Sequence, residues 1–244
     1  MEELDFSFEK LGDVIDICIS PDHKFGTDAF LLSNYANIRR KDIACDLGTG
    51  CGIIPLLWFR NPKKSPKSVW AVDIQPKAIK QLNISIEKNN LNEVFKAVNG
   101  DLKNIKELGL PLGEFDVVTC NPPYKINGAG IISEMNSEKI ARHETMCNID
   151  DVVYAASRLL KFGGRLCICQ RPERLLDVME AMRKYKIEPK RLRFVQKKGN
   201  TAPWLFLIEG KQGSKPFLKV EEPFIIQGEN GEFSKELQDI YFNF

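Results

Sequence analysis

The sequence has little that would place the chain in a membrane or in an oxidising compartment. Across its 244 residues no apolar run approaches the ~20 residues of a membrane-spanning helix, and its acidic start is unlike a signal peptide. Its seven cysteines are odd in number, include no Cys-x-x-Cys pair and are accompanied by only two histidines. A disulfide framework or a zinc site is therefore not expected. We expect a cytoplasmic protein with buried, reduced thiols and no metal.

The chain also has almost no net charge, because 35 basic residues are set against 33 acidic ones. The charge is nevertheless uneven along the chain. Residues 1–30 contain eight acids and two bases, whereas residues 158–198 contain thirteen bases and four acids. Such a basic segment permits an RNA or DNA partner, although basic residues on the solvent face of a helix are equally common. With 43% hydrophobic residues, the chain can bury the core of one large domain.

Buried-strand patterns alternate with helical patterns through the middle of the chain, which predicts a parallel α/β sheet. The first such strand, residues 43–47, is followed by Gly48, Gly50 and Gly52 and then by an apolar helix. Since glycines have no side chain, this loop lets backbone amides and a helix N-terminus approach a nucleotide-type cofactor. The second strand ends at Asp73, 21 residues after Gly52, where a carboxylate can reach ribose hydroxyls in such folds.

The segment Cys120-Asn121-Pro122-Pro123-Tyr124 follows the fourth predicted strand. Two successive prolines fix the backbone of the turn and remove two donors. The side-chain carbonyl of Asn121 and the backbone carbonyl of Pro122 could together accept both hydrogens of a planar NH2 group. Tyr124 adds an aromatic face for a flat substrate. A proline turn that merely ends a strand is the alternative, and the cofactor loop upstream favours the functional interpretation.

Segments at both ends of the chain are less informative. Residues 1–20 alternate apolar and polar positions around Gly12-Asp13, which predicts a hairpin or extended arm. A helix of about two turns, capped by Thr27 or Asp28, follows Gly26. The stretch Lys24 to Thr27 either closes over a cofactor or simply precedes a helix that covers the sheet edge.

The second half of the chain predicts a long loop and a hairpin. Residues 125–148 form a polar insertion, either a functional lid or disordered, and Ala141–Glu144 within it either touch substrate or are solvated. Strands at 191–196 and 204–208 suggest an antiparallel hairpin, whose turn exposes Lys197 and Lys198 and could meet RNA phosphates. The tail after residue 210 contains no motif that we could interpret.

Taken together and in this order, four motifs resemble those of the class I S-adenosylmethionine-dependent methyltransferases. They are Asp46-Leu47-Gly48-Thr49-Gly50-Cys51-Gly52, Asp73, Asn99-Gly100-Asp101 and Asn121-Pro122-Pro123-Tyr124. The last tetrapeptide resembles the form found in enzymes that methylate exocyclic or amide nitrogens. Lys24–Leu32, Ala141–Glu144 and the region Leu192–Glu209 are similar to the bacterial tRNA(Val) adenine-37 N6-methyltransferases. The glycine loop lacks the Gly-x-Gly-x-x-Gly spacing of NAD enzymes, which favours S-adenosylmethionine over a dinucleotide.

This resemblance implies a fold and an activity. The fold is a Rossmann-like α/β methyltransferase fold with a seven-stranded, mostly parallel sheet, an antiparallel last strand and helices on both faces. Its parts are an N-terminal arm and cofactor-covering helix (residues 1–40), the methyltransferase domain (41–210) and a C-terminal extension (211–244). The activity is N6-methylation of adenine 37 in the anticodon loop of a valine tRNA, with S-adenosylmethionine as cofactor.

The resemblance also implies roles for particular residues. Asp46, Gly48, Gly50 and Gly52 would hold the methionine and ribose side of the cofactor, and Asp73 with its neighbour Ile74 would bind the ribose. Asp101 would meet the adenine amino group while Leu102 packs on the ring. Asn121, Pro122 and Pro123 would present the acceptors to the target nitrogen, with Asn121 also beside the cofactor, and Tyr124 would stack on the base. The cofactor would be covered by Lys24, Phe25, Gly26 and Thr27.

Three other functions fit part of the pattern. A protein glutamine N5-methyltransferase shares the Asn-Pro-Pro-Tyr chemistry, but such enzymes usually have a helical domain before the cofactor motif, and only about 40 residues precede it here. A ribosomal RNA guanine N2-methyltransferase is chemically possible, although many of those resemble a duplicated domain. A non-catalytic nucleotide-binding or RNA-chaperone protein would have no need for the complete acceptor turn.

Overall fold

The computed structural model describes residues 6–20, 25–123 and 148–242. Within these ranges eleven strands and six α-helices are formed. The predictions for Lys24, for Tyr124 and for Ala141–Glu144 concern positions outside the described residues.

The strands form one small hairpin and one large sheet. Their bounds are β1 Ser7–Leu11, β2 Ile15–Ile19, β3 Ile43–Leu47, β4 Ser68–Asp73, β5 Phe95–Asn99, β6 Phe115–Cys120, β7 Leu160–Gln170, β8 Ile187–Gln196, β9 Pro203–Gln212, β10 Lys219–Val220 and β11 Phe224–Ile225. The helices are α1 Thr27–Tyr35, α2 Ile53–Leu57, α3 Pro76–Lys88, α4 Ile149–Leu159, α5 Leu175–Lys184 and α6 Lys235–Phe242.

The large sheet has the order β10-β8-β9-β7-β6-β3-β4-β5, and β11 also pairs with β8. Strands β3 to β7 pair with one another in parallel, whereas β9 is antiparallel to both β7 and β8. The predicted fold class and the predicted antiparallel hairpin are therefore confirmed. The expected number of seven strands was too low, because β10 and β11, from the tail after residue 210, add to the free edge of β8.

Two hydrophobic clusters cover opposite faces of this sheet. One packs α1, α2, α3 and α6 against the sheet, and the other packs α4 and α5. Fully buried side chains such as Leu47, Phe115 and Phe206 lie in the sheet itself, where both faces are covered, which explains why these strands are nearly continuous apolar runs.

The start of β7 contains two glycines. Gly163 and Gly164 both belong to the strand, and the pairing of β6 with β7 shifts between Phe115 and Val117. At Gly164 the backbone of the neighbouring strand comes so close that a Cβ atom would lie 2.7 Å from the Phe115 carbonyl oxygen. Glycine is therefore required here by a β-bulge rather than by a loop.

A cluster of buried charges fixes α1 to the sheet. The Arg165 guanidinium donates to Glu209 at 3.0 Å and to the Ala36 carbonyl, just beyond α1, at 2.8 Å. Arg191 packs over the ring of Tyr35, with its guanidinium carbon 4.3 Å from the ring centre, and lies 3.7 Å from Glu209. Burial raises the pKa of Tyr35, so the hydroxyl stays neutral. Because Glu209 is 7% exposed and faces two guanidinium groups, its charge is compensated.

The predicted N-terminal hairpin is confirmed, and it packs on α3. The side chain of Gln81 accepts from the Ser20 hydroxyl at 3.0 Å and donates to the Cys18 carbonyl at 2.7 Å. One turn later, the Ser85 hydroxyl accepts from the Cys18 amide at 2.9 Å. Gln81 and Ser85 are fully buried, so the polar ends of β2 depend on these side chains for their hydrogen bonds.

Replacing Gln81 by Ala should therefore lower the free energy of unfolding by about 1–3 kcal/mol, because it leaves the buried Cys18 carbonyl and Ser20 hydroxyl without a partner. Urea unfolding measures this difference. Lys80→Ala is the matched control, since Lys80 lies on the same helix with its side chain exposed. Equal stability of the two variants would contradict this account of the hairpin.

Candidate active site

Three neighbouring strands of the sheet end at the same level. In the parallel ladder, Leu47 of β3 is opposite Val72 of β4 on one side and Cys120 of β6 on the other. The residues that follow, Gly48, Asp73 and Asn121, therefore lie along one edge of the sheet. In open α/β sheets, ligands bind at this carboxyl edge.

The glycine loop is held in place by the end of β4. The amides of Gly48 and Thr49 donate to the Val72 carbonyl at 2.9 and 3.1 Å, and the Gly50 amide donates to Asp73 Oδ2 at 2.8 Å. Gly48 and Gly50 have positive φ angles of 69° and 55°, and a Cβ atom on either would meet no atom within 4 Å. The loop therefore leaves open space beside its backbone, as a cofactor cradle requires.

Gly52, unlike Gly48 and Gly50, lies against a neighbouring helix. Its φ is 81°, and a Cβ atom there would lie 2.3 Å from Leu82 Cδ1 on α3. The absent side chain of Gly52 thus lets α2 pack closely on α3, and its predicted contact with the cofactor stays a prediction.

Asp73 has more partners than its predicted role required. Its two carboxylate oxygens accept from the amides of Gly50, at 2.8 Å, and Gln75, at 2.9 Å. Both bonds tie the glycine loop to the turn that contains Ile74. A carboxylate oxygen has a second lone pair, so contact with a ribose hydroxyl remains compatible with this geometry.

Asp46 is a buried carboxylate with one unsatisfied oxygen. It is 1% exposed, and its Oδ1 accepts from the Thr119 hydroxyl at 2.6 Å. Its Oδ2 has no hydrogen-bond partner among the described residues. Burial raises the pKa of Asp46 to about 7, against the lowering effect of the nearby Thr119 and Thr49 hydroxyls. An orphaned buried carboxylate oxygen at the cofactor edge indicates a site for a donor or cation from a ligand.

The third loop, after β5, is also tied to Asp73. The Asn99 side-chain amide donates to the Asp73 carbonyl at 2.9 Å. Asp101 Oδ1 accepts from the Lys103 amide at 2.9 Å and so caps a short 3-10 turn that begins at Leu102. Leu102 is 8% exposed. The structure thus places the predicted adenine-contacting residues beside the same strand end.

Asn121, the residue predicted to hold the target nitrogen, is bonded to Asp28, which was not predicted from the sequence to belong to the site. The side-chain amide of Asn121 donates to Asp28 Oδ2 at 2.9 Å, and its Oδ1 accepts from the Cys169 thiol at 3.0 Å. An ionised carboxylate can only accept, so Asp28 requires the NH2 group of Asn121 on its own side and turns the carbonyl oxygen away. Asp28 was predicted as a possible helix cap, but α1 has no side-chain cap bond.

The neighbouring residues of α1 support this arrangement. A Cβ atom on Gly26 would lie 2.7 Å from Asp28 Oδ1, so a larger residue here would displace the carboxylate. The Thr27 hydroxyl accepts from Tyr241 of α6 at 3.1 Å, and the Phe25 ring centre lies 6.1 Å from that of Phe30. The local sequence carries no signal for the contact with Asn121, because an Asp in the first turn of a helix also suits a cap.

A cavity of about 650 Å³ lies between the start of α1 and the turn that joins β8 to β9. Asp28 belongs to its wall, and so does Lys197 of the turn. The full lining is Gly26, Thr27, Asp28, Lys197, Thr201, Ala202, Trp204 and Ile226. Pro122 is partly buried and Pro123 exposed at the adjoining end of β6.

Most of the basic excess in residues 158–198 is neutralised within the chain. Lys161 pairs with Asp116, Arg165 with Glu209, and further pairs involve Arg174, Arg183, Lys184, Arg191 and Arg193. Lys197 and Lys198 are exposed and form no ion pair with any described residue. The turn between β8 and β9 therefore presents two positive charges that no described acid neutralises.

The described ranges contain no group of three or more His, Cys, Asp or Glu side chains placed to hold a metal ion. The six cysteines within them are buried and free, which confirms the prediction of reduced thiols for those positions. Among the helices that the structure describes, none has both the length and the apolar character needed to span a bilayer.

The sheet order, the glycine loop after β3 and the polar strand ends define the class: a Rossmann-like α/β fold of the class I methyltransferase type. The chain belongs to the methyltransferase domain family, whose model matches residues 38–210. The prediction of a methyltransferase from the sequence motifs is thereby confirmed.

Two relatives whose names state an activity align with nearly the whole of this chain. A Histophilus somni (strain 129Pt) protein named tRNA1(Val) (adenine(37)-N6)-methyltransferase is 28% identical, with 98% of each chain covered. A Haemophilus influenzae (strain PittGG) protein of the same name is 23% identical, with 98% of this chain and 99% of the relative covered.

Solved structures support the fold. A predicted O-methyltransferase from Agrobacterium tumefaciens superposes with a TM-score of 0.70 at 19% identity, covering 88% of this chain and 95% of that one. Geranyl diphosphate C-methyltransferase from Streptomyces coelicolor, solved with S-adenosyl-L-homocysteine, superposes with a TM-score of 0.54 at 12% identity. The superposition covers 75% of this chain and 79% of that chain.

Proposed function

We propose that this protein transfers a methyl group from S-adenosylmethionine to N6 of adenine 37 in the anticodon loop of a valine tRNA. The observation that carries the proposal is the Asn121 amide, which Asp28 orients at 2.9 Å at the same sheet edge as the glycine loop. Relatives named for this activity align over almost the whole chain. A cytoplasmic location follows from a tRNA substrate.

The residues present fit S-adenosylmethionine. The space beside Gly48 and Gly50 can admit the ligand, and the unsatisfied Oδ2 of Asp46 suits its positively charged amino acid end. Asp73 would bind the ribose hydroxyls, and Leu102 and Asp101 would contact the adenine. When bound, the cofactor supplies a methyl group on a sulfonium leaving group, which is the reactive part of the system.

The protein's contribution is alignment rather than acid–base chemistry. The Asn121 carbonyl oxygen and the Pro122 carbonyl accept the two hydrogens of the exocyclic amine. Such acceptors favour a tetrahedral nitrogen, whose lone pair is available for attack, over the planar conjugated form. Asp28 is a positioning residue, because it decides which end of the Asn121 amide faces the substrate. The proton leaves after the new N–C bond has made the nitrogen acidic.

An adenine within a stack cannot reach Asn121, so the base must be unstacked. An anticodon loop presents unpaired bases at small energetic cost. Lys197 and Lys198 stand beside the cavity at the same sheet edge, where they can meet the phosphates of the adjoining stem.

The flanking segments are proposed to complete the site. The division into residues 1–40, 41–210 and 211–244 describes contributions to one body, because α1 packs on the sheet and α6 packs on α1. In the described residues before β3 there is one hairpin and one helix, not the helical domain expected of a protein glutamine N5-methyltransferase.

The direct test is incubation of the protein with labelled S-adenosylmethionine and, separately, total tRNA, ribosomal RNA, DNA and protein. The proposal expects label in tRNA, released on digestion as N6-methyladenosine. Label in guanine or in protein glutamine would assign one of the alternative functions, and no transfer to any of these polymers would remove the catalytic proposal.

The affinity for S-adenosylmethionine should fall as the pH is lowered through about 7. Burial holds the pKa of Asp46 at about 7, so at lower pH the carboxyl is protonated and must lose its proton before it can face a cationic ligand. The expected loss is about tenfold per pH unit below the pKa. Calorimetric titrations at about pH 6 and pH 8 measure it. Asp46→Asn should bind weakly and lack this slope; a variant with the wild-type slope would exclude Asp46 as its source.

Asn121→Ala should lower kcat by roughly a hundredfold or more, with little change in cofactor affinity, because a preorganised contact at the reacting nitrogen is lost. Asp28→Ala should lower kcat by about tenfold or more with KM nearly unchanged, since the Asn121 amide loses its fixed orientation. Asp28→Asn should retain part of the activity, because an amide oxygen can still accept from Asn121.

Steady-state kinetics on tRNA separate these effects. Asn34→Ala is the control, since Asn34 is exposed on the same helix, and it should behave as wild type. If Asp28→Ala changed KM alone, Asp28 would act in substrate binding instead of in positioning.

Neutralising Lys197 and Lys198 together should weaken tRNA binding and reduce the magnitude of the slope of log K against log salt concentration by about one to two, because each phosphate contact releases close to one counterion. Cofactor binding should not change. Binding titrations over a range of salt concentrations measure the slope. A slope identical to that of the wild type would place the RNA elsewhere.

A further inference from the structure

The cavity between α1 and the β8–β9 turn is large enough to hold a ligand. Its volume of about 650 Å³ falls within the range of small-molecule sites and exceeds what one glutamine side chain needs. We propose that this cavity binds the unstacked target nucleoside of the RNA, with Trp204, Ala202, Ile226 and Lys197 as its binding residues. This inference rests on the proposed function and identifies the surface that receives its substrate.

The cavity adjoins the reacting group. Asp28 is part of its wall, and the same carboxylate accepts from the Asn121 side chain at 2.9 Å. A ligand that fills the cavity therefore lies next to the amide that accepts the target nitrogen. Asp28 is bonded to the NH2 group of Asn121, so the acceptor for the exocyclic amino group of a nucleobase is the Asn121 carbonyl oxygen.

The apolar part of the wall suits the faces of a base. Trp204, Ala202 and Ile226 line it. Trp204 is held in place by Arg171, which does not line the cavity. Arg171 donates to the Trp204 carbonyl at 2.9 Å, and its guanidinium carbon lies 5.4 Å from the centre of the indole ring. A fixed indole offers a flat surface without an entropic cost of ordering, and base–aromatic contacts are the common means of holding an unstacked base.

The wall contains one positive side chain, Lys197, beside the negative Asp28 that is bonded to Asn121. Lys197 makes no ion pair with a described residue. Its ammonium group is thus available for the phosphate of the bound nucleoside.

The C-terminal extension lines one side of this cavity through Ile226 and supports another side through Tyr241. Ile226 directly follows β11, and its amide donates to the Gln196 carbonyl at 3.0 Å, which holds it beside the β8–β9 turn. On the other side, Tyr241 of α6 donates to Thr27 at 3.1 Å, at the start of α1. A part of the chain without an interpretable motif thereby shapes the proposed substrate pocket.

The test compares binding of two anticodon stem–loop RNAs, one with adenine at the target position and one with an abasic nucleotide there, in the presence of S-adenosylhomocysteine. Wild-type protein should bind the adenine loop about tenfold more tightly, because one base contact with an aromatic wall contributes on the order of 1–3 kcal/mol. Ala202→Trp should abolish that preference, since Ala202 is exposed and a bulky side chain there fills the cavity without disturbing the core.

Asn200→Trp is the matched control, because Asn200 is exposed in the same turn and does not line the cavity; it should keep the preference. Trp204→Leu should reduce it about threefold or more. Equal binding of the two loops by wild type, or an undiminished preference in Ala202→Trp, would overturn the inference. Methyl transfer measured on the adenine loop reports the proposed function separately, because the binding preference does not depend on turnover.

Discussion

The structure depends on one constraint: three neighbouring parallel strands end at the same level of the sheet. Val72, Leu47 and Cys120 form a buried row across β4, β3 and β6, and beyond it the ladder can no longer satisfy the backbone. The backbone groups of the loops that follow therefore bond to neighbouring loops. The Gly50 amide, for example, donates to the Asp73 carboxylate. The polar groups that could bind a cofactor and a substrate are therefore concentrated at the edge where these strands end.

A second requirement is that α1 be held above this edge. The buried cluster of Arg165, Glu209 and Arg191 fixes the carboxyl end of α1, while the stacking of Tyr241 on Phe30, at 4.3 Å between ring centres, fixes its other side. Asp28 can orient the Asn121 amide only because the helix is held at both places. Charges far from the proposed chemistry thus determine the geometry of the acceptor turn.

The α/β architecture could be predicted from sequence because its strands are short apolar runs with clear ends, and the edge residues Gly48, Asp73 and Asn121 follow those ends directly. Contacts between segments that are distant in the sequence could not be predicted in this way. Nothing local to Asp28 distinguishes a helix cap from a partner of Asn121, and Gly164 resembles a loop glycine until β6 lies beside it. The strands β10 and β11 have only two residues each, too few for an alternating pattern, so they form because β8 offers a free edge.

The bond between Tyr241 and Thr27 joins residues 214 positions apart, which has a consequence for the order in which the protein assembles. The glycine loop needs only β3, β4 and their connection, so its contacts are close along the chain and can form early. The pocket around Asp28 needs both ends of the chain to meet across the completed sheet, and such distant closures are the slow steps of folding. We therefore expect a refolding molecule to regain its cofactor cradle before it regains the geometry at Asn121.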